Sequence, residues 1–189
     1  MAWQAARHTL GRGALLPGGV RRRGEGFLLT LPRGTCDGAE VRTSTRFQYG
    51  EYTARMRTPV APGSLSAFFL YQDVRGGNDE IDIEILNDGS RRILLTTRVA
   101  GRKVREATLR LPFDPAAAHH DYSIRRDAGS VSFLADGAVL RRWTSGVPGS
   151  AMRVVANAWW PTWLSCAPPG ADQALDIERI RTAAPGARP

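Results

Sequence analysis

From Gly26 onward the chain repeats one pattern, in which four to eight residues rich in apolar side chains are followed by a short stretch of turn chemistry. The apolar runs predict strands at Phe27–Leu31, Ala39–Thr43, Gly50–Met56, Ser64–Gln72, Glu80–Leu86, Arg92–Arg98, Thr108–Leu111, Asp121–Arg126, Ser130–Ala135, Val139–Trp143, Met152–Trp159 and Ala174–Ile180. The intervals between them include Ala61-Pro62-Gly63, Arg75-Gly76-Gly77-Asn78, Asn87-Asp88-Gly89 and Pro148-Gly149. Asp136-Gly137 stands between two such runs and predicts a two-residue hairpin, because the favoured turn needs positive φ at both central positions. No stretch carries the spacing of an amphipathic helix. A dozen short strands with turn signals between them predict an all-β sandwich or barrel. Residues 1–25 and 182–189 fall outside the pattern. The expected organisation is an irregular N-terminal segment (1–25) packed on one β-domain (26–181), followed by a flexible tail (182–189).

Composition supports this picture. Twenty glycines and twelve prolines in 189 residues exceed ordinary usage and favour turn-rich β-structure over a helical bundle. Apolar residues at 42% and charged residues at 23% suit a chain that buries a core. No apolar run reaches 18 residues, so no membrane partner is expected. The net charge of +8 raises nucleic acid as a partner. However, the basic residues are almost all arginines spread along the chain, with Lys103 the only lysine, and no nucleic-acid-binding motif surrounds them. A solvated surface and no nucleic-acid partner are therefore expected. Cys36 and Cys166 fit no metal or redox spacing; they pair, or each is a small buried thiol. The first residues lack a basic stretch followed by an apolar one, so no secretory leader is visible there: the protein stays inside, or a leader was removed, or the start of the chain is mis-assigned.

One strand carries chemistry. Glu80-Ile81-Asp82-Ile83-Glu84-Ile85 alternates acid with isoleucine, so the three carboxylates share one face and the isoleucines the other. An outer strand with solvated acids would show the same alternation, but three like charges stacked at two-residue steps cost stability, and acids are poor strand formers. Such a cost suggests use. At roughly 3.3 Å per residue, the Cα atoms of Glu80 and Glu84 lie about 13 Å apart, and side chains leaning together leave about 5–6 Å between carboxyls. That is close to the separation in a retaining glycosidase, where one carboxylate attacks the anomeric carbon and the other donates and then removes a proton. Asp82 between them shares a proton or hydrogen bond with a neighbour, and the three titrate as a coupled group. Downstream, Asn157-Ala158-Trp159-Trp160-Pro161-Thr162-Trp163 gathers three of the five tryptophans where a strand enters a loop. Indoles there either fill the core or offer flat faces to sugar rings.

The motif Glu80-Ile81-Asp82-Ile83-Glu84 resembles the signature of glycoside hydrolase family 16, which includes laminarinases, lichenases and related endo-acting β-glucanases. Cys36 to Arg42, Tyr49 to Met56, Ala67 to Tyr71, His120-Asp121-Tyr122 and Val155 to Trp159 are also similar to family segments, in the same order. The resemblance implies a concanavalin A-like β-jelly roll of two curved antiparallel sheets with the glycan on the concave face. It implies endo-acting, retaining hydrolysis of β-1,3 or mixed β-1,3/1,4 glucan by a monomer. The same site could instead serve transglycosylation, or the fold a non-catalytic lectin-like module. By residue, it implies a nucleophile at Glu80, an auxiliary aspartate at Asp82 and a general acid/base at Glu84. Glu40, Arg42, Phe69, Tyr71, Asn157, Trp159 and Trp163 are its implied substrate contacts; a surface ion pair is the alternative for Glu40 and Arg42. No cofactor is implied. Some members hold a structural calcium, for which Asp176 is the one candidate ligand. The family usually has a further N-terminal strand before the position matching Trp3. Arg126 stands where a tryptophan is common, and Arg98 where many members carry an aromatic, an exchange that suits an anionic glycan.

Overall fold

The computed structural model describes residues 2–184, which form sixteen strands, numbered in chain order, and one short 3-10 turn at Pro17–Gly19. The first sheet has the spatial order β1 (Trp3–Ala5), β6 (Ala39–Thr43), β15 (Arg153–Trp159), β8 (Leu65–Val74), β9 (Gly77–Leu86), β10 (Arg92–Val99), β11 (Arg102–Arg110). The second runs β14 (Ala138–Trp143), β13 (Val131–Ala135), β12 (His120–Arg126), β7 (Gly50–Arg57), β16 (Gln173–Ala183), β5 (Gly26–Leu31), β4 (Val20–Arg23). A small hairpin, β2 (His8–Leu10) and β3 (Gly13–Leu15), stands apart from both. Neighbouring strands are antiparallel throughout, and the chain crosses repeatedly between sheets, as in a jelly roll.

Period-two alternation accounts for the core. Ile81, Ile83 and Ile85 of β9 are fully buried and join Phe68 and Leu70 of β8, Ile93 and Leu95 of β10, and Val154 and Ala156 of β15. The second sheet supplies Leu29, Met56, Ile124, Phe133, Leu175 and Ile177 to the same cluster. The two inner faces thus remove their apolar side chains from water together, and each strand's polar set is left on an outer face. At Asp136-Gly137 the backbone takes φ of 46° and 79°, the mirror-image turn the dipeptide predicts between β13 and β14.

Three features depart from the sequence expectation. The N-terminal segment expected to be irregular forms β1 to β4. There β1 pairs with β6 at the sheet edge, and Trp3 packs edge-on against Phe27 at 5.4 Å between ring centroids. The strand expected at Thr108–Leu111 begins at Arg102; its first five residues are exposed and lack any apolar period. The last strand continues to Ala183, past the boundary expected for the tail, and residues 185–189 lie outside the described residues. No helix among the described residues is long and apolar enough to cross a membrane.

Cys36 and Cys166 form a disulfide with Cα atoms 6.2 Å apart, closing a sequence separation of 130 residues. Arg126 is fully buried and donates to the carbonyls of Ser150 (2.8 Å) and Pro148 (2.6 Å), so a guanidinium fastens the connection between β14 and β15 where an indole was expected. Asp176 is also buried. Its Oδ2 lies 2.9 Å from Arg23, 3.4 Å from Arg57 and 3.4 Å from His119, so the carboxylate is already enclosed by basic groups and does not fit a calcium ligand.

Candidate active site

With the isoleucines of β9 in the core, Glu80, Asp82 and Glu84 are left on the opposite face, where they open into a cleft of about 850 Å³ crossing the first sheet. The strand register places Tyr71, Phe69 and Ala67 of β8 beside Glu80, Asp82 and Glu84 in turn. On the other side, Arg98, Thr96 and Leu94 of β10 stand beside the same three acids. The cleft floor is partly apolar, because Ala67, Phe69 and Val155 form a small cluster of their own against Tyr71. The hairpin β2–β3 contributes His8 and Leu10 to one end of the cleft. Its turn residue Gly11, at φ +62°, lies so close that a Cβ there would meet the Trp160 carbonyl at 2.1 Å and the Trp159 ring at 2.9 Å. Only glycine lets this hairpin close onto Trp159.

The acids differ in surroundings. Glu80 accepts a hydrogen bond from Asn78 Nδ2 at 2.8 Å and lies 3.4 Å from Arg98 Nε. Burial raises its pKa, while Arg98, Asn78 and a hydrogen bond from Asp82 oppose that rise. Asp82 is pushed well above the ordinary carboxylate range by burial and by the charges of Glu80 and Glu84 on either side, which favours its protonated form, the form able to donate toward Glu80. Glu84 is pushed up to about 7 by burial and by Glu80, against the opposing charges of Arg98 and Lys103. The net direction at Glu80 is still upward, but three neighbours favour its carboxylate, while Glu84, two steps along the same face, is a carboxyl raised to about 7. Such a pair can attack at carbon from one end and deliver a proton from the other.

The ten residues singled out from the sequence all line this one cleft: Glu40, Arg42, Phe69, Tyr71, Glu80, Asp82, Glu84, Asn157, Trp159 and Trp163. Glu40 does not pair with Arg42; it accepts from Asn157 Nδ2 at 3.1 Å and meets His8 Nε2 at 3.3 Å. The three clustered tryptophans separate by function of position. Trp159 faces the cleft, Trp160 is buried and donates to the Asp37 carbonyl at 3.1 Å, and Trp163 is 55% exposed on the cleft margin. Sequence reasoning passed over Asn78 and Arg153. Asn78 extends the period of the acid trio by one step and could have been found that way. Arg153 lies two steps of the same alternation before Asn157 and could have been found in the same way.

The model of Glycosyl hydrolases family 16 matches residues 17–175, which contain the whole of β9 and most of both sheets. The chain belongs to glycosyl hydrolases family 16. The chain is 27% identical over 125 residues to the beta-glucanase of Paenibacillus polymyxa, a match covering 65% of this chain and 52% of the relative. It is 29% identical over 155 residues to xyloglucan endotransglucosylase protein 8 of Diospyros kaki, covering 75% of this chain and 54% of that one. The chain thus spans about half the length of these curated relatives. Among solved structures, the Bacillus licheniformis beta-glucanase superimposes with a TM-score of 0.86 at 23% identity, over 96% of this chain and 92% of the other. The family 16 jelly roll is therefore this chain's fold.

Proposed function

We propose that this family 16 protein cleaves β-1,3 or mixed β-1,3/1,4 glucan internally, by double displacement with retention of anomeric configuration. One observation carries the reading. Glu80, Asp82 and Glu84 project together from β9 into an open cleft, with Glu84 protonated up to about pH 7 and Glu80 supported as a carboxylate by Asn78 and Arg98. In the first step Glu84 gives its proton to the glycosidic oxygen as Glu80 attacks the anomeric carbon. The C–O bond to the leaving sugar breaks and a glycosyl ester forms on Glu80. In the second, Glu84, now ionised, takes a proton from water as the water oxygen displaces Glu80. Asp82 holds the Glu80 rotamer through its proton and limits the negative charge gathered on one face. The cleft is lined from β6, β15, β8, β9 and β10, a span that suits several consecutive sugars of a polymer. Trp159 and Trp163 offer flat apolar faces for pyranose rings.

Reducing-sugar release from lichenan and laminarin, with the product anomer followed by NMR, tests the reading. Glu80→Gln is expected to lose turnover by a factor of about a thousand or more while glycan binding and the folded far-UV spectrum persist. Unchanged turnover in that variant overturns the assignment. Capture of the glycosyl ester by a sugar hydroxyl in place of water gives transglycosylation, a second reading favoured by the likeness to an endotransglucosylase. Longer products on adding an acceptor oligosaccharide distinguish it.

A further inference from the structure

The register of the first sheet divides the cleft lining into rows running across the strands. One row joins Glu84, Ala67, Asn157 and Glu40. A second, four residues along each strand, joins Arg98, Glu80, Tyr71 and Arg153. The row between them contains Asp82, Phe69, Val155 and Arg42. Arg42 is therefore a diagonal neighbour of Arg153 across β6 and β15, and Arg46, just beyond the end of β6, lines the same cleft. Charge is segregated across the width of the site: acids occupy the Glu40–Glu84 side, while the far half of the Tyr71 side is basic.

The acids on the basic side already have partners. Glu80 is held by Arg98 and Asn78, and Asp73 accepts from the Tyr71 hydroxyl at 2.7 Å. Arg98, which the sequence marked for an anionic ligand, is engaged with Glu80. Arg42, Arg46 and Arg153 are not engaged in this way. Among the described residues none of them has a carboxylate within 4.0 Å, and Arg153 makes only a 3.3 Å hydrogen bond to the Thr43 carbonyl. Three guanidinium groups gathered without counter-charge repel one another, and contact of Arg42 with a neutral hexose ring leaves the added charge of Arg46 and Arg153 without a role. Their planar forks match a carboxylate or sulfate, which they bind through paired charge-assisted hydrogen bonds.

We propose that Arg42, Arg46 and Arg153 form a subsite for an anionic substituent, a carboxylate or a sulfate ester, carried by the β-glycan that the cleft accepts. The inference rests on the proposed cleavage at Glu80 and Glu84 and adds the charge of the substrate. A neutral glucan oligosaccharide, its carboxymethylated form and its sulfated form are titrated calorimetrically against Glu84→Gln, which leaves the Arg98–Glu80 pair in place. At least one charged form is expected to bind about tenfold tighter than the neutral one, the scale of one added charge-assisted hydrogen bond, with the advantage shrinking as salt is raised. Which form binds tighter tells carboxylate from sulfate. Adding Arg46→Gln and Arg153→Gln is expected to remove the advantage. Adding Arg141→Gln and Arg142→Gln instead, an equal charge change on β14 of the other sheet, is expected to retain it. Equal binding of all three oligosaccharides overturns the proposal, as does an advantage that survives the first pair or is lost equally with the second. Turnover by the unsubstituted protein is measured in parallel. No cleavage of any glycan defeats the hydrolase reading while the binding comparison still decides the subsite, whereas cleavage with no charge preference in binding defeats the subsite alone.

Discussion

Glu80 and Glu84 are the same residue type on the same face of one strand; burial raises the pKa of both, and Glu80 has Asn78 and Arg98 beside it to favour its charged form. Arg98 acts on both: it lies 3.4 Å from Glu80 and its charge also opposes the rise at Glu84. Cleavage needs Glu80 ionised and Glu84 protonated, so activity should rise with pH as Glu80 loses its proton and fall as Glu84 loses its own near pH 7. Replacing Arg98 with Met removes a positive charge that lowers both pKa values. The expected result is a bell-shaped pH–kcat/KM profile displaced to higher pH on both limbs. Activity on the acidic limb drops by about tenfold for each unit that Glu80 moves. An acidic limb that stays in place would show that Asn78 and Asp82 hold Glu80 unaided, and Arg98→Lys tests whether charge alone restores the profile.

At the scale of the element, β9 is a strand whose two faces pull in opposite directions. Its isoleucine face contributes three fully buried side chains to the core, while its acid face crowds three carboxyls that would each be ionised in the unfolded chain at neutral pH. Asp82 feels this most, because burial and the charges on both sides raise its folded-state pKa well above the ordinary value. The folded state therefore holds a proton that the unfolded state releases. Stability from this group is complete below about pH 4, the unfolded value, and is lost as pH rises toward the folded value. Asp82→Asn has no such loss and its amide still donates to Glu80. Its Tm is expected to exceed that of the parent by a few degrees at pH 7, with the gap closing near pH 3, while turnover falls. A Tm difference independent of pH would refute this account of the strand.

At the scale of the whole molecule, the Cys36–Cys166 disulfide ties the approach to β6 to the segment bearing Trp163, and Arg12 donates to the Thr162 and Leu164 carbonyls at 2.7 Å each. One cross-link thus serves both the fold and the margin of the cleft. Replacing both cysteines with alanine is expected to cost about 2–5 kcal/mol of unfolding free energy by denaturant titration. The same change should raise KM for lichenan more than it lowers kcat, because Trp163 is loosened while β9 is untouched. An unchanged denaturation midpoint would mean that packing alone holds this segment.

Eleven of the twelve strands read from alternation lie within three residues of their observed limits, and the shared face of the acid trio and the Asp136-Gly137 turn were legible because each depends on chain neighbours alone. The first half of β11 was not legible: an edge strand with exposed polar residues on both faces leaves no period to detect. The short N-terminal strands were missed for a related reason, since three-residue strands are specified by the partner they pair with rather than by their own pattern.

By itself, then, the amino-acid order determined which residues turn inward and which outward along each strand, because side-chain direction in an extended chain alternates with position and nothing else. It thereby placed Glu80, Asp82 and Glu84 on one face before any pairing was known. The tertiary structure decided what those acids meet. Arg98 beside Glu80, Asn157 on Glu40, the sulfur bridge across 130 residues and the unopposed Arg42, Arg46 and Arg153 all come from strand order and register. Those are set by the collective burial of two apolar faces, a property distributed over the whole chain.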